Sequence, residues 1–322
     1  MIQGHGDDSF RYEDIRMNFS SNIYAHADLG GLKPFLAMRM DVIAQYPEPD
    51  ATSLAAVIAE KNAIPHDSVL VTNGAVEAIY LVAQMLAGEG IHHYMVSQPT
   101  FSEYEDACRM FGMEKGMGGA CWICNPNNPT GTVTKRLPLE TYKIVVVDQS
   151  YEDLTSAQLM TAAEAVKERN VIQIHSLTKT YAVPGLRVGY IIANEELIGR
   201  LRRWQRPWTV NALAVEAGKW LVENDIKVVP NLQAYLEEAQ RLNRRLNQLP
   251  MVQALPTETN FMLARIENVT AAELKEYLAC EHHMLIRDAS NFPGLNEHYF
   301  RVSAQKPEEN DALVEAIASF RQ

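Results

Sequence analysis

Apolar and polar positions along this chain fall into blocks whose period switches between strand and helix. Short runs rich in β-branched residues, Val69–Thr72, Tyr94–Ser97, Cys121–Cys124, Ile144–Val147, Val171–Ile174 and Gly189–Ala193, read as strands. Between them lie segments of helical period: Thr52–Asn62, with Leu54, Val57 and Ile58 on one face, an apolar helix over Ala78–Leu86, and a helix through Tyr104–Phe111. Strands alternating with helices predict a parallel or mixed sheet covered on both faces. From Glu195 to about Leu249 the pattern is helical, broken near Arg206-Pro207-Trp208 and Val229-Pro230. The remainder reads as a small α/β unit: strand Phe261–Ile266, helix Ala271–Cys280, strands Leu285–Arg287 and Tyr299–Ser303, and a closing helix Pro307–Phe320. The first forty or so residues are polar and glycine-containing and read as loosely structured. The expected organisation is an N-terminal segment (1–45) packed on the smaller unit, a large domain (46–225) and a small C-terminal domain (226–322).

Composition narrows the function classes. A chain of 322 residues has room for a large core and two domains. Its net charge of −11 argues against nucleic acid as the main partner. No apolar run is long enough to span a membrane, and the polar start has no signal-like apolar core, so a cytoplasmic protein is expected. Four cysteines in so long a chain fit reduced thiols better than a disulfide framework. Cys121-Trp122-Ile123-Cys124 matches C-x-x-C, but residues three apart on a strand face opposite ways, so we expect no metal there.

The chemistry concentrates after strands. Ser176-Leu177-Thr178-Lys179 follows an apolar run, and Arg187 stands eight residues past the lysine, beyond Pro184-Gly185. A lysine among hydroxyls and a guanidinium suits an aldehyde that carries a phosphate, although an ordinary strand edge fits an isolated Ser-x-x-Lys equally well. Asn73-Gly74-Ala75-Val76-Glu77 lies at a strand-to-helix turn, where free amides attract anions; alone it is a weak signal. Asn125-Pro126-Asn127-Asn128-Pro129-Thr130-Gly131 is more specific, because two prolines and a glycine hold Asn128 in one direction. Asp148 ends an apolar strand, where α/β ligands bind, and suits either a cationic ring nitrogen or a helix N-cap. Tyr151 follows three residues later.

Taken in order, these four motifs resemble those of fold-type I pyridoxal-phosphate enzymes, and the chain is similar to the class I/II aminotransferase family over nearly all its length. The resemblance implies an α/β fold with a large domain built on a mostly parallel seven-stranded sheet and a small C-terminal α/β domain. It implies pyridoxal 5'-phosphate as cofactor, with no metal. Lys179 would carry the cofactor as a Schiff base and move the proton, Asp148 would pair with the pyridine nitrogen, and Asn128 and Tyr151 would bind the ring oxygen. Phe101 would stack on the ring, while Gly74, Ala75, Val76, Ser176, Thr178 and Arg187 would form the phosphate cup. Tyr46 resembles a tyrosine that reaches the neighbouring subunit's phosphate, which implies a homodimer.

On the substrate side, Arg301 matches the family's carboxylate clamp, and a guanidinium suits a carboxylate through two parallel bonds. Asn22 looks like a second carboxylate contact, with a plain turn asparagine as its rival. Arg287 matches an arginine that binds a substrate phosphate in the histidinol-phosphate branch. Pro207–Ala214, Leu285–Leu295 and the lysine window itself lean towards the enzymes of that branch that decarboxylate threonine phosphate for cobalamin synthesis, which makes Asn211 a further candidate. A small phosphorylated amino acid or amine is the expected partner. The alternative is transamination of histidinol phosphate, and a remote one is a non-catalytic sensing domain. The chain departs from the family in short stretches at 112–124 and 132–143, and in His5-Gly6-Asp7-Asp8, which only partly matches the His-Gly-Gly start of the decarboxylases.

Overall fold

A computed structural model describes residues 7–226, 229 and 231–320. The His5-Gly6 part of the N-terminal motif and Pro230 of the expected helix break lie outside them. Among the described residues seven strands form one sheet, in the order Val69–Thr72, Gly189–Ala193, Val171–Ser176, Ile144–Asp148, Ala120–Cys124, His93–Val96 and Glu114–Lys115. Only Gly189–Ala193 runs antiparallel to its neighbours; the other pairs are parallel. Helices cover both faces, so the central strands are apolar throughout: every residue of Ile144–Asp148 is buried. A buried carboxylate thereby closes an otherwise apolar strand.

A second, antiparallel sheet orders Arg287–Asp288, Tyr299–Ser303, Phe261–Ile266 and Val252–Ala254. Met17–Asn18 pairs in parallel with Met284–Leu285, and beyond it the Phe19 amide donates to the Leu285 carbonyl at 2.8 Å while its own carbonyl accepts from the Ser303 amide at 2.9 Å. The N-terminal segment is thus stitched to the edge of this second sheet, and Ser20–Asn22 is delivered towards the strand ends of the first.

Most expected elements are present with shifted ends. The apolar helix begins at Gly74 rather than Ala78, which brings its free amides to the sheet. The single strand expected over Leu285–Arg287 is two, in different sheets, because the chain changes partners at Ile286. The N-terminal forty residues are less loose than expected. Leu32–Met38 is a helix that tolerates Pro34 in its first turn, and Phe35 stacks on Trp220 at 5.7 Å. Of the short stretches, 112–124 holds the two-residue edge strand Glu114–Lys115 and the strand Ala120–Cys124, and residues 132–143 contain no helix or strand. Among the described residues no helix is long and apolar enough to cross a membrane.

Candidate active site

A cavity of about 600 Å³ opens at the carboxyl ends of the parallel strands. Lys179, Asp148, Tyr151, Asn128, Phe101, Ala75, Val76, Ser176, Thr178, Arg187 and Arg301 all line it. Residues from four separate motifs therefore meet in one place.

Asp148 is the floor. Burial pushes its carboxyl pKa up, against the opposing effect of its hydrogen bonds. One oxygen accepts from the Tyr104 hydroxyl at 2.8 Å and the other from the Ser150 amide at 2.9 Å. Both of these donors are neutral, so the hydrogen bonds offset the burial of the acid only in part. Lys179 follows the strand Val171–Ser176 by a single helical turn. Its ammonium donates to the Ser21 carbonyl at 2.7 Å. Burial first, then Arg301 and, against the opposing charge of Asp7, Arg187 bring the amine down to about 7, a direction that favours the neutral, nucleophilic form.

The phosphate end is built on close approach. Gly74 opens the helix Gly74–Gly88 with φ of +77°, and a Cβ there would stand 2.5 Å from Arg187 Nη2. Glycine is therefore required for the guanidinium to lie against the helix start. Arg187 itself adopts φ of +56°, a costly conformation for a non-glycine residue, and its Nη1 donates to Thr178 Oγ1 at 3.4 Å. Unpaired first-turn amides, one guanidinium and the Ser176 and Thr178 hydroxyls make an anion cup.

The loop after Cys124 locks the wall. Thr100 donates to Asn127 Oδ1 at 2.6 Å, and Asn127 Nδ2 donates to the Pro99 carbonyl at 3.0 Å, which fixes Phe101 beside it. Gly131, at φ of +72°, lies where a Cβ would stand 2.1 Å from Thr257 Oγ1, so this loop packs directly on the second sheet. Asn128 Oδ1 accepts from Arg301 Nη1, whose Nη2 donates to the Ser20 carbonyl. Arg301 Nε and Asn22 Oδ1 are buried with no partner among the described residues. Asn22 Nδ2 donates to the Tyr151 hydroxyl at 3.4 Å. Burial pushes Tyr151 up to about 12 and draws Arg301 down to about 10.

A small recess of about 30 Å³ branches off, lined by Phe101, Asn128, Arg301 and Arg287 among others. Arg287 and Arg301 are direct cross-strand partners. Arg287 Nη2 donates to Asn291 Oδ1 at 2.7 Å, and its guanidinium lies 5.5 Å from the Phe292 ring centre.

Two sequence candidates stand apart. Asn211 caps the helix Ala212–Glu223, accepting from the Ala214 amide at 2.8 Å and donating to the Leu186 carbonyl at 3.1 Å; it does not line the cavity. Tyr46 is 87% exposed and packs on Trp208, ring centres 5.8 Å apart. Sequence reasoning missed Tyr104 and the carbonyls of Ser20 and Ser21. Tyr104 reads as a core position of a helix; the signal was Asp148, whose burial demands a donor.

The residues fit a phosphorylated pyridine aldehyde. The buried Asp148 would hold a protonated ring nitrogen, Asn128 and Tyr151 would meet the ring oxygen, Lys179 the aldehyde, and the cup at Gly74, Ala75, Ser176, Thr178 and Arg187 the phosphate. Such a site on a mostly parallel seven-stranded sheet defines a pyridoxal-phosphate-dependent enzyme. The model of the aminotransferase class I and II family matches residues 118–317, and the chain belongs to that family. It is 28% identical over 335 residues to the threonine-phosphate decarboxylase of Salmonella typhimurium, covering 94% of this chain and 91% of that protein. The crystal structure of L-threonine-O-3-phosphate decarboxylase from Porphyromonas gingivalis superposes with a TM-score of 0.88 at 35% identity, covering 94% of this chain and 99% of that one. A histidinol-phosphate aminotransferase of Thermoanaerobacter sp. is 28% identical over 300 residues, covering 84% of this chain and 83% of that protein.

Proposed function

We propose that this enzyme decarboxylates L-threonine O-3-phosphate to (R)-1-aminopropan-2-yl phosphate, acting as a homodimer. The observation that carries the reading is the pairing of Arg287 with Arg301. Directly opposed residues on antiparallel strands have Cα atoms roughly 4.5–5.5 Å apart. Two buried arginines rooted at neighbouring strand positions suit a short substrate with an anion at each end, and threonine phosphate carries its carboxylate and phosphate a few bonds apart. Histidinol phosphate has a phosphate but no carboxylate, which leaves Arg301 without that use in its own half-reaction.

When bound, pyridoxal phosphate supplies an electron sink for the pair left behind when a Cα bond breaks. The chain decides which bond that is. Arg301, clamped between Asn128 and the Ser20 carbonyl, still has Nε to offer a carboxylate, and Asn22, between the cavity-lining Ser21 and Ile23, has a buried Oδ1 without a partner among the described residues. Arg287 takes the distal phosphate. Together they would fix both ends of the substrate, and so would determine which Cα bond the cofactor's electron sink acts on. Carbon dioxide leaves, and Lys179 returns a proton to Cα, so the reaction consumes one proton and needs no keto acid. The exposed Tyr46 supports a second copy of the chain, whose cup it would complete.

The test is Arg287→Ala, with kcat/KM measured on threonine phosphate and on unphosphorylated threonine. Loss of a desolvated charge pair costs about 2–5 kcal/mol, so the phosphorylated substrate should fall by roughly 30-fold or more. Threonine should change little. Equal losses on both substrates remove the role assigned to Arg287 and, with it, the substrate.

A further inference from the structure

Two polar residues flank the catalytic segments without lining their cavity. Glu152 follows Tyr151, and His175 precedes Ser176. His175 is 3% exposed, and its Nδ1 donates to Glu152 Oε1 at 2.7 Å. The imidazole lies flat on Tyr190, its register partner on the next strand, with ring centres 4.6 Å apart and planes at 7°. Its Nε2 is buried with no partner among the described residues. A position that only filled the core would be better served by an apolar ring, because an unpaired buried nitrogen is costly.

The location explains why a hydrogen-bonded pair stands there. Strand pairing between the two catalytic segments ends at Asp148 opposite Ile174, with one further bond from the Gln149 amide to the Ile174 carbonyl at 2.8 Å. Past that point the chain turns: the Glu152 amide donates to the Gln149 carbonyl at 2.9 Å, and Tyr151 points into the cavity. Glu152 ties the far end of this turn back to the strand that leads into Ser176 and Lys179. The tie crosses from the segment carrying Asp148 and Tyr151 to the segment carrying Lys179, just where the backbone ladder stops.

We propose that Glu152 and His175 are a positioning pair that fixes Tyr151 relative to Lys179, and so sets how tightly and in what orientation the cofactor ring is held. The inference rests on the cofactor site described above. The hydrogen bond performs this task, and the stack on Tyr190 supports it.

Three variants separate the bond from the packing. Glu152→Ala changes a part-exposed side chain and removes the acceptor. His175→Phe keeps the stacked ring and removes the donor. His175→Asn removes the ring but keeps a donor near the position of Nδ1. Each apo-protein is titrated with pyridoxal phosphate, and the dissociation constant, the wavelength of the visible band and the apo-protein Tm are read. Glu152→Ala and His175→Phe should each weaken cofactor binding about tenfold, as loss of an outer supporting partner does elsewhere. They should displace the visible band, and the double variant should be no worse than either single one. His175→Asn should recover most of the affinity and the band position. Equal affinity in all variants overturns the proposal, as does normal binding by His175→Phe with loss in His175→Asn, which would make the stack the working contact. Losses that merely follow Tm, without rescue by asparagine, reduce the pair to a structural role and also overturn it. A wild-type protein with no visible band on titration instead overturns the cofactor site, and the positioning role falls with it.

Discussion

The two halves of the cavity are built differently. On the cofactor side each charged group is already engaged: Asp148 accepts from Tyr104 and Ser150, and Arg187 lies on Gly74 and donates to Thr178. These groups come from the strand ends of the seven-stranded sheet and the turns that follow them. On the substrate side Arg301 and Asn22 keep buried polar atoms without partners, and Arg287 sits beside a recess. That side exists only where the Phe19–Asn22 segment, the Asn125–Gly131 loop and the antiparallel sheet come together. A prebuilt half binds one fixed molecule, while a half with unmet hydrogen bonds is specific for whatever meets them, because an analogue that fails to do so leaves the cost in place.

Breaking the shared element should have the largest effect. Lys179→Ala should abolish the visible absorbance of the cofactor-loaded protein and lower kcat by at least about a thousandfold, as removal of a covalent catalyst does. Spectra and single-turnover rates report both. Arg301→Leu should come next. It removes the proposed carboxylate clamp and strands the Ser20 carbonyl and Asn128, so kcat/KM should fall by roughly a hundredfold. Affinity for pyridoxal phosphate, measured by titration, should change far less; an equal loss would erase the distinction between the two halves.

Tyr104→Phe probes the other side. Losing one hydrogen bond to a charged group costs about 1.5–3 kcal/mol, so cofactor affinity should weaken by roughly tenfold or more while the relative preference among substrates is kept. A changed substrate preference would show that the halves are coupled through Asp148. Asn211→Ala should have the smallest catalytic effect. It removes a helix cap, which lowers stability by about 1 kcal/mol in denaturant unfolding, and kcat/KM should stay near wild type. A large loss of activity in that variant would return Asn211 to the substrate site.

The same contrast decides what the sequence made legible. The cofactor half is local: an apolar strand ends in Asp148, another runs into Lys179, and each motif is contiguous, so their order and spacing could be matched to the family they resemble, and that resemblance predicted that they meet. Its omission was Tyr104, separated from Asp148 by 44 residues, whose bond depends on how the helix Glu103–Met110 docks. The substrate half is assembled from afar: Arg301 meets a carbonyl 281 residues away, and the neighbouring carbonyl of the same N-terminal segment reaches Lys179 across 158 residues. No periodicity encodes such contacts, and Ser20 and Ser21 contribute main-chain oxygens that any residue carries. Asn211 shows the converse. An asparagine immediately before an apolar helix is an N-cap by local rules, and here its oxygen caps the helix while its amide nitrogen is taken by the Leu186 carbonyl. The split of Leu285–Arg287 between two sheets likewise follows from partners that only the fold supplies.

The most direct measurement is carbon dioxide release from L-threonine O-3-phosphate by the cofactor-loaded enzyme with no keto acid present. The account predicts one carbon dioxide and one aminopropanol phosphate for each substrate consumed, over many turnovers. Turnover that stops after a single equivalent and resumes only when a keto acid is added would contradict it and identify a transaminase.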